Sequence, residues 1–246
     1  PDEIIVVDDC SDKDNTGEVA RAFAETEARV KVKVLRTPAN KGSKAAAQNY
    51  ALSFITTDVY ATIDADTTLA HDALEKALPY FNDPKVGAVC GCIVPRNRKS
   101  FYELGRYFEY LYSFNIIKPA QDRIGAMFVA SGCFSIFRTH LVREVGISSE
   151  TIAEDLHLSW LIQQLGYKIK LARHALCYPV DPNNYQEYQK QVFRWNCGFL
   201  QNIKVRDGNL FGEHWKRAIL LAGGLFIAFL LLLEQGPLFR KEFGHY

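Results

Sequence analysis

Apolar and polar positions follow each other along this chain in blocks that predict strands alternating with helices. The predicted strands are short runs of β-branched residues, and the predicted helices are longer and carry spaced apolar residues. The strands cover Glu3 to Val7, Val30 to Leu35, Asp58 to Ile63, Val86 to Ile93, Ala126 to Phe137 and Lys168 to Ala172, and the helices cover Thr16 to Ala28, Lys44 to Phe54, Phe101 to Ile117 and Glu154 to Leu165. This alternation predicts an α/β domain with a mainly parallel, doubly wound sheet.

A second apolar feature lies near the end of the chain. Residues 218–233 form an uncharged apolar run that directly follows Lys216 and Arg217. The run is slightly shorter than the roughly 20 residues that cross a bilayer upright, so a spanning, an interfacial and a buried core helix all remain open. The preceding cations favour a membrane, with Lys and Arg on the cytoplasmic side. We therefore predict a globular domain over 1–215 and a membrane-associated or transmembrane segment over 216–246.

Composition indicates one large domain and argues against nucleic acid as a partner. The 246 residues are 48% hydrophobic, which is enough to bury a substantial core. Lys and Arg number 29 against 28 Asp and Glu, so net charge gives no reason to expect binding to a polyanion. The six cysteines lack zinc-site spacing, which favours a reduced, cytosol-facing domain. Because the chain opens directly on a predicted strand, we expect it to be part of a longer protein.

Acidic pairs follow two of the predicted strands. Asp8 and Asp9 end the first, and Asp64 and Asp66 end the third. Ligands of open parallel sheets bind outside the carboxyl ends of strands, so these positions predict a nucleotide crevice, although no glycine-rich phosphate loop is present. Asp64 and Asp66 would share a strand face and suit Mg²⁺ or Mn²⁺. The alternative is an Asp-x-Asp that occurs by chance on a turn.

Two further sets of polar residues begin or occupy predicted helices. Glu154 and Asp155 begin one helix, where Asp155 could act as a general base or the pair could simply cap the helix. Gln191 and Arg194 are three residues apart and would share a helix face, with the Trp195 ring at its edge. Arg grips phosphate oxygens in pairs, so this set suits a phosphate-bearing sugar beside a flat ring. The alternative is an ordinary amphipathic helix.

Taken together, these four motifs occur in the order and at the spacing seen in family 2 glycosyltransferases. The chain resembles in particular the processive polysaccharide synthases. The resemblance covers nearly the whole chain and includes the segments 4–11, 44–49, 131–134 and 196–201. It departs from the family pattern at Ala153, where Thr or Ser often precedes Glu-Asp, and at Val192, where Arg or Gln is frequent. A strand that normally precedes Ile4 and helps form the uracil pocket is missing.

The resemblance implies a GT-A fold and a role for each motif. Three positions would bind the nucleotide of a UDP-sugar: Asp8, Asp9 and Lys44. The Asp-x-Asp pair would hold a Mg²⁺ or Mn²⁺ cofactor, chiefly through Asp66, with Asp64 also meeting the nucleotide. Asp155, with Glu154 beside it, would deprotonate the acceptor hydroxyl. The remaining roles would be diphosphate binding by Gln191 and Arg194 and acceptor binding by Trp195, Ser131 and Gly132.

The implied function is a metal-dependent, inverting sugar transfer at a membrane, with the catalytic domain facing the cytoplasm. The donor would be a UDP-sugar, with UDP-N-acetylglucosamine favoured, and the acceptor a growing polysaccharide. Transfer of glucose, as in cellulose synthases, and transfer to a lipid-linked acceptor are the nearest alternatives. A non-catalytic nucleotide-sugar-binding module and a metal-dependent phosphotransferase or nucleotidyltransferase are the rivals from other classes.

Overall fold

The computed structural model describes residues 1–12 and 14–205. Its strands are β1 (Glu3–Asp8), β2 (Lys31–Arg36), β3 (Val59–Ile63), β4 (Thr68–Leu69), β5 (Val86–Ile93), β6 (Phe134–Arg138) and β7 (Lys168–Tyr178). Its α-helices are α1 (Thr16–Thr26), α2 (Lys44–Leu52), α3 (Ala73–Ala77), α4 (Phe101–Tyr112), α5 (Lys118–Arg123), α6 (Thr139–Val145), α7 (Glu154–Gln164) and α8 (Tyr185–Val205). A 3₁₀ turn follows α3 over Leu78–Asn82, and a π-helical turn follows α4 over Ser113–Ile117.

The described strands form two sheets. β1 and β2 make a parallel pair in which Glu3 faces Lys31 and Asp8 faces Arg36. The second sheet has five strands in the order β3-β6-β5-β7-β4. Within these residues β1 is hydrogen-bonded to β2 alone and β3 to β6 alone, so no strand joins the two sheets. The expected missing strand before Ile4 stays a prediction.

The α/β class is confirmed, but the larger sheet is mixed where we predicted mainly parallel pairing. The β5–β7 pairing is the one parallel pairing in it, whereas β3–β6, β5–β6 and β4–β7 are antiparallel. The physical reason is that β6 is buried along almost its whole length, so its apolar run looks the same in either direction. The alternation of strands and helices therefore predicts the class of the fold and leaves the strand directions undetermined.

The main core lies between the five-stranded sheet and the helices around it. β5 contributes most, since every residue but one of Val86–Ile93 is buried, and α6 and α7 cover it with Leu141, Leu158 and Ile162. A smaller cluster centres on Trp160 of α7, whose ring meets those of Phe128 and Phe199. Phe199 belongs to α8, so this cluster fixes the last long helix against α7.

The predicted segment 216–246, including the apolar run 218–233, lies outside the described residues. Within 1–12 and 14–205, no helix combines the length and apolar character needed to cross a bilayer.

Two helical glycines provide a test of how closely α7 and α8 must approach. A Cβ at Gly198 of α8 would lie 2.5 Å from Ala153 Cβ, whereas a Cβ at Gly105 of α4 would meet nothing within 4 Å. We expect Gly105→Ala to raise the free energy of unfolding by about 0.5–1 kcal/mol through helix propensity. Gly198→Ala should lower it by about 1–3 kcal/mol because the helices must separate. Urea unfolding measures both changes, and stabilisation by both substitutions would contradict the proposed close packing.

Candidate active site

Lys44 brings together carboxylates from two separate parts of the chain. It is the first residue of α2, Asp64 follows β3 directly, and Glu154 is the first residue of α7. The Lys44 ammonium group forms an ion pair with Asp64, and its Nζ lies 3.7 Å from Glu154 Oε1. Two of the predicted donor-binding residues, Lys44 and Asp64, therefore meet the predicted catalytic residue Glu154.

The Ser131–Gly132 loop closes this cluster from the side of β6. The Gly132 N–H donates a hydrogen bond of 2.9 Å to Asp155 Oδ2, and Lys44 Nζ donates one of 3.4 Å to the Gly132 carbonyl oxygen. A Cβ at Gly132 would lie 3.1 Å from both Asp155 Oδ2 and Lys44 Nζ. Glycine, which has no side chain, is therefore the residue that leaves room for these contacts. We call Lys44, Asp64, Gly132, Glu154 and Asp155 the carboxylate cluster.

The protonation of the carboxylate cluster is governed by burial and by its own charges. Burial raises the pKa of Glu154, the neighbouring charge of Asp155 raises it further, and Lys44 opposes both effects. Burial alone would lower the pKa of Lys44, but the carboxylates outweigh it, with Asp64 contributing most, and the pKa is raised. Three carboxyl groups thus lie around one ammonium group.

Asp155 combines a contact at the start of α7 with a contact to another part of the chain. The N-cap residue of α7 is Ala153, which has no side-chain group to accept a hydrogen bond. Asp155 directs Oδ1 to the N–H of Leu156, at 2.8 Å, and Oδ2 to the Gly132 loop. Its carboxylate therefore also links α7 to the loop before β6, and it is held in a fixed orientation.

The predicted geometry of Asp64 and Asp66 needs a correction. β3 ends at Ile63, and Asp64 to Thr67 form a turn closed by a 2.9 Å hydrogen bond from Thr67 N to the Asp64 carbonyl oxygen. The two carboxylates therefore do not share a strand face. The Asp66 side chain is exposed and accepts a 3.2 Å hydrogen bond from the Thr67 hydroxyl.

The carboxylates of this turn can be compared with the ligands that a divalent metal requires. Asp66 makes no ion pair in the described part of the chain, and Asp64 is already paired with Lys44. Within the same part of the chain, no group of three or more His, Cys, Asp or Glu residues is arranged to hold a metal. Mg²⁺ commonly uses one or two carboxylates and completes its shell with waters and substrate phosphates. Asp66 fits that mode of binding, in which the substrate supplies much of the coordination.

Arg96, a residue that the sequence analysis missed, fixes the Asp66 turn. Its guanidinium Nη2 donates to the Asp66 carbonyl oxygen, and also to the Tyr178 carbonyl oxygen at 3.0 Å. Tyr178 is the last residue of β7, so Arg96 ties the turn after β3 to the end of another strand. No motif pointed to this residue, because its partners are backbone carbonyl groups.

The predicted diphosphate-binding residues form a second cluster with α4. Gln191 Oε1 accepts a 2.6 Å hydrogen bond from Arg106 Nη2, and the Arg106 guanidinium carbon lies 4.7 Å from the centre of the Trp195 ring. Arg194 is exposed and forms no ion pair with any described residue. Asp181, Gln191 and Arg194 line one open depression. Arg106 therefore covers part of the Trp195 ring, and the roles of these residues in binding diphosphate and acceptor stay predictions.

Asp181 is a further residue that the sequence analysis missed, and it belongs to the second cluster. Its side chain is buried, Oδ1 accepts a 3.0 Å hydrogen bond from the Tyr110 hydroxyl, and Arg106 Nε lies 3.9 Å away. Burial raises the pKa of Asp181 to about 6, and the charges of Glu109 and Asp66 also raise it, while Tyr110 and Arg106 oppose the shift. Asp66 is thus close enough to act on Asp181, and Arg96 joins the Asp66 turn to Tyr178, three residues before Asp181.

Asp8 and Asp9 are engaged elsewhere. Asp8 is buried, accepts a 2.9 Å hydrogen bond from Ser11 N and pairs with Arg36 at 3.0 Å. The hydrogen bond from the Ser11 backbone is the main reason that its pKa is lowered. Asp9 accepts a 2.8 Å hydrogen bond from the Thr37 hydroxyl. No hydrogen bond or ion pair joins either residue to the two clusters among the described residues, so their role in donor binding stays a prediction.

Comparison with known proteins identifies the family. The model described as "Glycosyl transferase family 2" matches residues 1–146, more than half of the chain. The chain therefore belongs to glycosyltransferase family 2, as its motifs predicted. It is similar to the poly-beta-1,6-N-acetyl-D-glucosamine synthases of Staphylococcus aureus (strain COL), at 33% identity over 207 residues, and of Staphylococcus epidermidis, at 32% over 219. These alignments cover 83% and 85% of this chain, which spans about half the length of both relatives, 49% and 52%.

Solved structures support the GT-A fold. The mannosyltransferase PcManGT of Pyrobaculum calidifontis, in complex with GDP-Man and Mn²⁺, matches with a TM-score of 0.71 at 22% identity, over 97% of this chain and 73% of its own. Residues 1–349 of TarS from S. aureus, in complex with UDP-GlcNAc, match with a TM-score of 0.58 at 16% identity, over 88% and 61%. The predicted α/β GT-A fold is confirmed.

The raised pKa of Asp181 predicts a specific pH dependence of stability. An acid whose pKa is raised on folding contributes stability below its unfolded pKa, near 3.8, and that contribution is lost as the pH rises through about 6. In Asp181→Asn the amide can still accept the Tyr110 hydrogen bond but does not titrate. We expect the difference in free energy of unfolding between wild type and variant to shift in favour of the variant from pH 4 to 7. Urea titrations with EDTA measure it, and parallel curves would contradict the assignment.

Proposed function

We propose that this member of glycosyltransferase family 2 transfers a sugar from a UDP-sugar, with UDP-N-acetylglucosamine favoured, to a hydroxyl group of a growing polysaccharide, with inversion at the anomeric carbon. The observation that carries the proposal is the Asp155 carboxylate, held by the Gly132 N–H beside the Lys44–Asp64 ion pair. The printed names of the relatives support the choice of sugar and product, since two are poly-N-acetylglucosamine synthases and TarS was solved with UDP-GlcNAc.

In the proposed reaction Asp155 acts as the general base. The acceptor hydroxyl oxygen attacks the anomeric carbon, its proton passes to the Asp155 carboxylate, and the bond between the anomeric carbon and the diphosphate oxygen breaks. A single displacement of this kind inverts the configuration, because the hydroxyl and the departing UDP occupy opposite faces. A fixed carboxylate within reach of the hydroxyl is what such a base requires.

The leaving diphosphate needs positive charge around it. Arg194 is exposed, free of ion pairs among the described residues, and borders the same depression as Gln191, so both would bind the diphosphate oxygens. Asp66, with Asp64 beside it, would hold Mg²⁺ or Mn²⁺, which supplies further neutralisation of the departing group. The neighbour PcManGT was solved in complex with GDP-Man and Mn²⁺, which supports this choice.

The remaining sequence-predicted residues complete the proposal. Lys44, next to Asp64, would contact the nucleotide, and of the first acidic pair Asp9 is the freer ligand because Asp8 is buried and paired. Ser131, Gly132 and the free part of the Trp195 ring would bind the acceptor. We also propose that 216–246 attaches the enzyme to a membrane, with 1–215 as the catalytic domain on the cytoplasmic side.

Replacement of Asp155 by Asn tests the base. The amide oxygen can keep the Gly132 hydrogen bond but cannot take up the hydroxyl proton. We expect UDP release by the full-length protein in membranes, supplied with a panel of UDP-sugars, to fall by roughly 10²–10⁴-fold. Binding of UDP should change little. The matched control is Asp72→Asn at the start of α3, whose carboxylate pairs with Lys76, and it should leave turnover unchanged.

The panel also separates the proposed function from its rivals. Unchanged turnover in Asp155→Asn would remove Asp155 from the role of base. Wild-type protein that binds UDP without releasing it from any UDP-sugar would be a binding module. The sugar that supports the fastest release identifies the donor, and glucose in that position would place the enzyme with the cellulose-type synthases.

Asp66→Asn tests the proposed metal. We expect EDTA to abolish UDP release, and added Mn²⁺ or Mg²⁺ to restore it. The variant should need at least about tenfold more metal for half-maximal turnover, because loss of one ligand carboxylate weakens binding by roughly 1.4 kcal/mol or more. Asp72→Asn again serves as the control. Metal titrations that coincide for wild type and Asp66→Asn would exclude Asp66 as a ligand.

A further inference from the structure

Arg106 is a fully buried charge that belongs to none of the recognised motifs. It lies in the middle of α4 with 0% of its surface exposed. A buried cation is costly unless it is paired and hydrogen-bonded, and Arg106 is both. Its Nη1 donates a 2.5 Å hydrogen bond to Glu109 Oε2, and its Nη2 donates the 2.6 Å bond to Gln191 Oε1. One side chain of α4 therefore reaches directly into the second cluster.

The bond to Gln191 determines which end of the amide points outward. A guanidinium group has donors and no acceptor, so the atom of Gln191 that meets Arg106 must be the carbonyl oxygen. The amide nitrogen of Gln191 then points away from Arg106, and it donates no hydrogen bond to any residue in the described ranges. An amide N–H attracts phosphate oxygens, whereas an amide carbonyl oxygen would repel them. Arg106 thus presents Gln191 in the orientation that suits a diphosphate.

Arg106 also sets the position of aromatic rings on α8. Its guanidinium carbon lies 4.7 Å from the ring centres of both Trp195 and Tyr188. Contacts of this kind between a guanidinium plane and a ring are attractive and directional. Gln191 and Trp195 are four residues apart on α8 and so share one helix face, which allows one arginine to contact both.

Neutralising the carboxylates around Arg106 does not require the geometry of a guanidinium group. Glu109 and Asp181 supply two carboxylates, and any well-placed cation would neutralise them. The guanidinium fork, in contrast, is needed to bond Glu109 and Gln191 at the same time while lying against two rings. We propose that Arg106 is a positioning residue, which orients the Gln191 amide and the Trp195 ring for binding of the UDP diphosphate and the acceptor. This proposal rests on the proposed function.

The test compares two conservative variants in the full-length protein. Arg106→Lys keeps the charge and loses the fork. Arg138→Lys is the matched control, since Arg138 also uses its guanidinium group for buried contacts, donating to the carbonyl oxygens of Val86 at 2.7 Å and Phe81 at 2.8 Å, but touches no site residue. Both should lower the midpoint of thermal unfolding. Only Arg106→Lys should raise the KM for the UDP-sugar, by roughly 10- to 100-fold, as expected for a lost charge-assisted hydrogen bond.

A double-mutant cycle with Gln191→Ala isolates the positioning effect. If Arg106 acts through Gln191, each single variant weakens UDP binding, and Arg106→Lys adds less than about threefold in the Gln191→Ala background. Isothermal calorimetry with UDP and Mn²⁺ measures this cycle without any turnover. Multiplicative effects, or equal KM values for Arg106→Lys and Arg138→Lys, would overturn the proposal.

The two readouts distinguish this proposal from the proposed function. A non-additive cycle for UDP binding in a protein that turns over no UDP-sugar would support Arg106 as a positioning residue and reject the transferase. An additive cycle in an active enzyme would reject the role of Arg106 and leave the transferase intact. Absence of UDP binding in the wild type would overturn both.

Discussion

The close approach of the Gly132 backbone to Asp155 is the constraint on which the arrangement of the candidate site depends. The 2.9 Å hydrogen bond between them places the first turn of α7 against the loop that leads into β6, and Lys44 bonds to the same glycine from α2. A Cβ at this point would lie 3.1 Å from both partners, which would have to move slightly to accept it. Gly198 in turn allows α8 to rest on Ala153, the residue before the two acids. The acids of α7 are therefore held by contacts with two other parts of the structure.

The two clusters of the candidate site differ in their balance of charge. The carboxylate cluster holds three acids around Lys44, whereas the second cluster places Arg106 and Arg194 near Asp181 and Glu109. Asp66 is exposed and makes no ion pair among the described residues, and its charge contributes to the raised pKa of Asp181. A diphosphate bound at the second cluster would add negative charge close to these acids. The metal proposed at Asp66 would offset that charge.

Much of the fold could be predicted from the chain, because helix and strand periods are local properties. α7 was expected at Glu154 to Leu165 and spans Glu154–Gln164, and α2 was expected at Lys44 to Phe54 and spans Lys44–Leu52. Strand direction could not be predicted, since strands buried on both faces carry no directional signal. Asp181 was missed because β7 was expected to end at Ala172 and runs to Tyr178; the rule that ligands meet strand ends would otherwise have indicated it. The roles of the site residues came mainly from the family resemblance.

In helix α4, the side chains that are buried differ most from those that a hydrophobic pattern would indicate. The helix is rich in aromatic residues, yet Phe101 and Phe108 are exposed while Glu103 and Arg106 are buried. Hydrophobic periodicity identifies a helix by assuming that apolar residues face inward and charges outward. Glu103 is held locally by the capping box with Ser100, whereas Arg106 bonds to Gln191 of α8, 85 residues away. The burial of Arg106 has no local signature, because the groups that make it favourable are supplied only by the folded site. The contacts of Arg106 with Gln191 and Trp195 therefore become visible only in the folded structure.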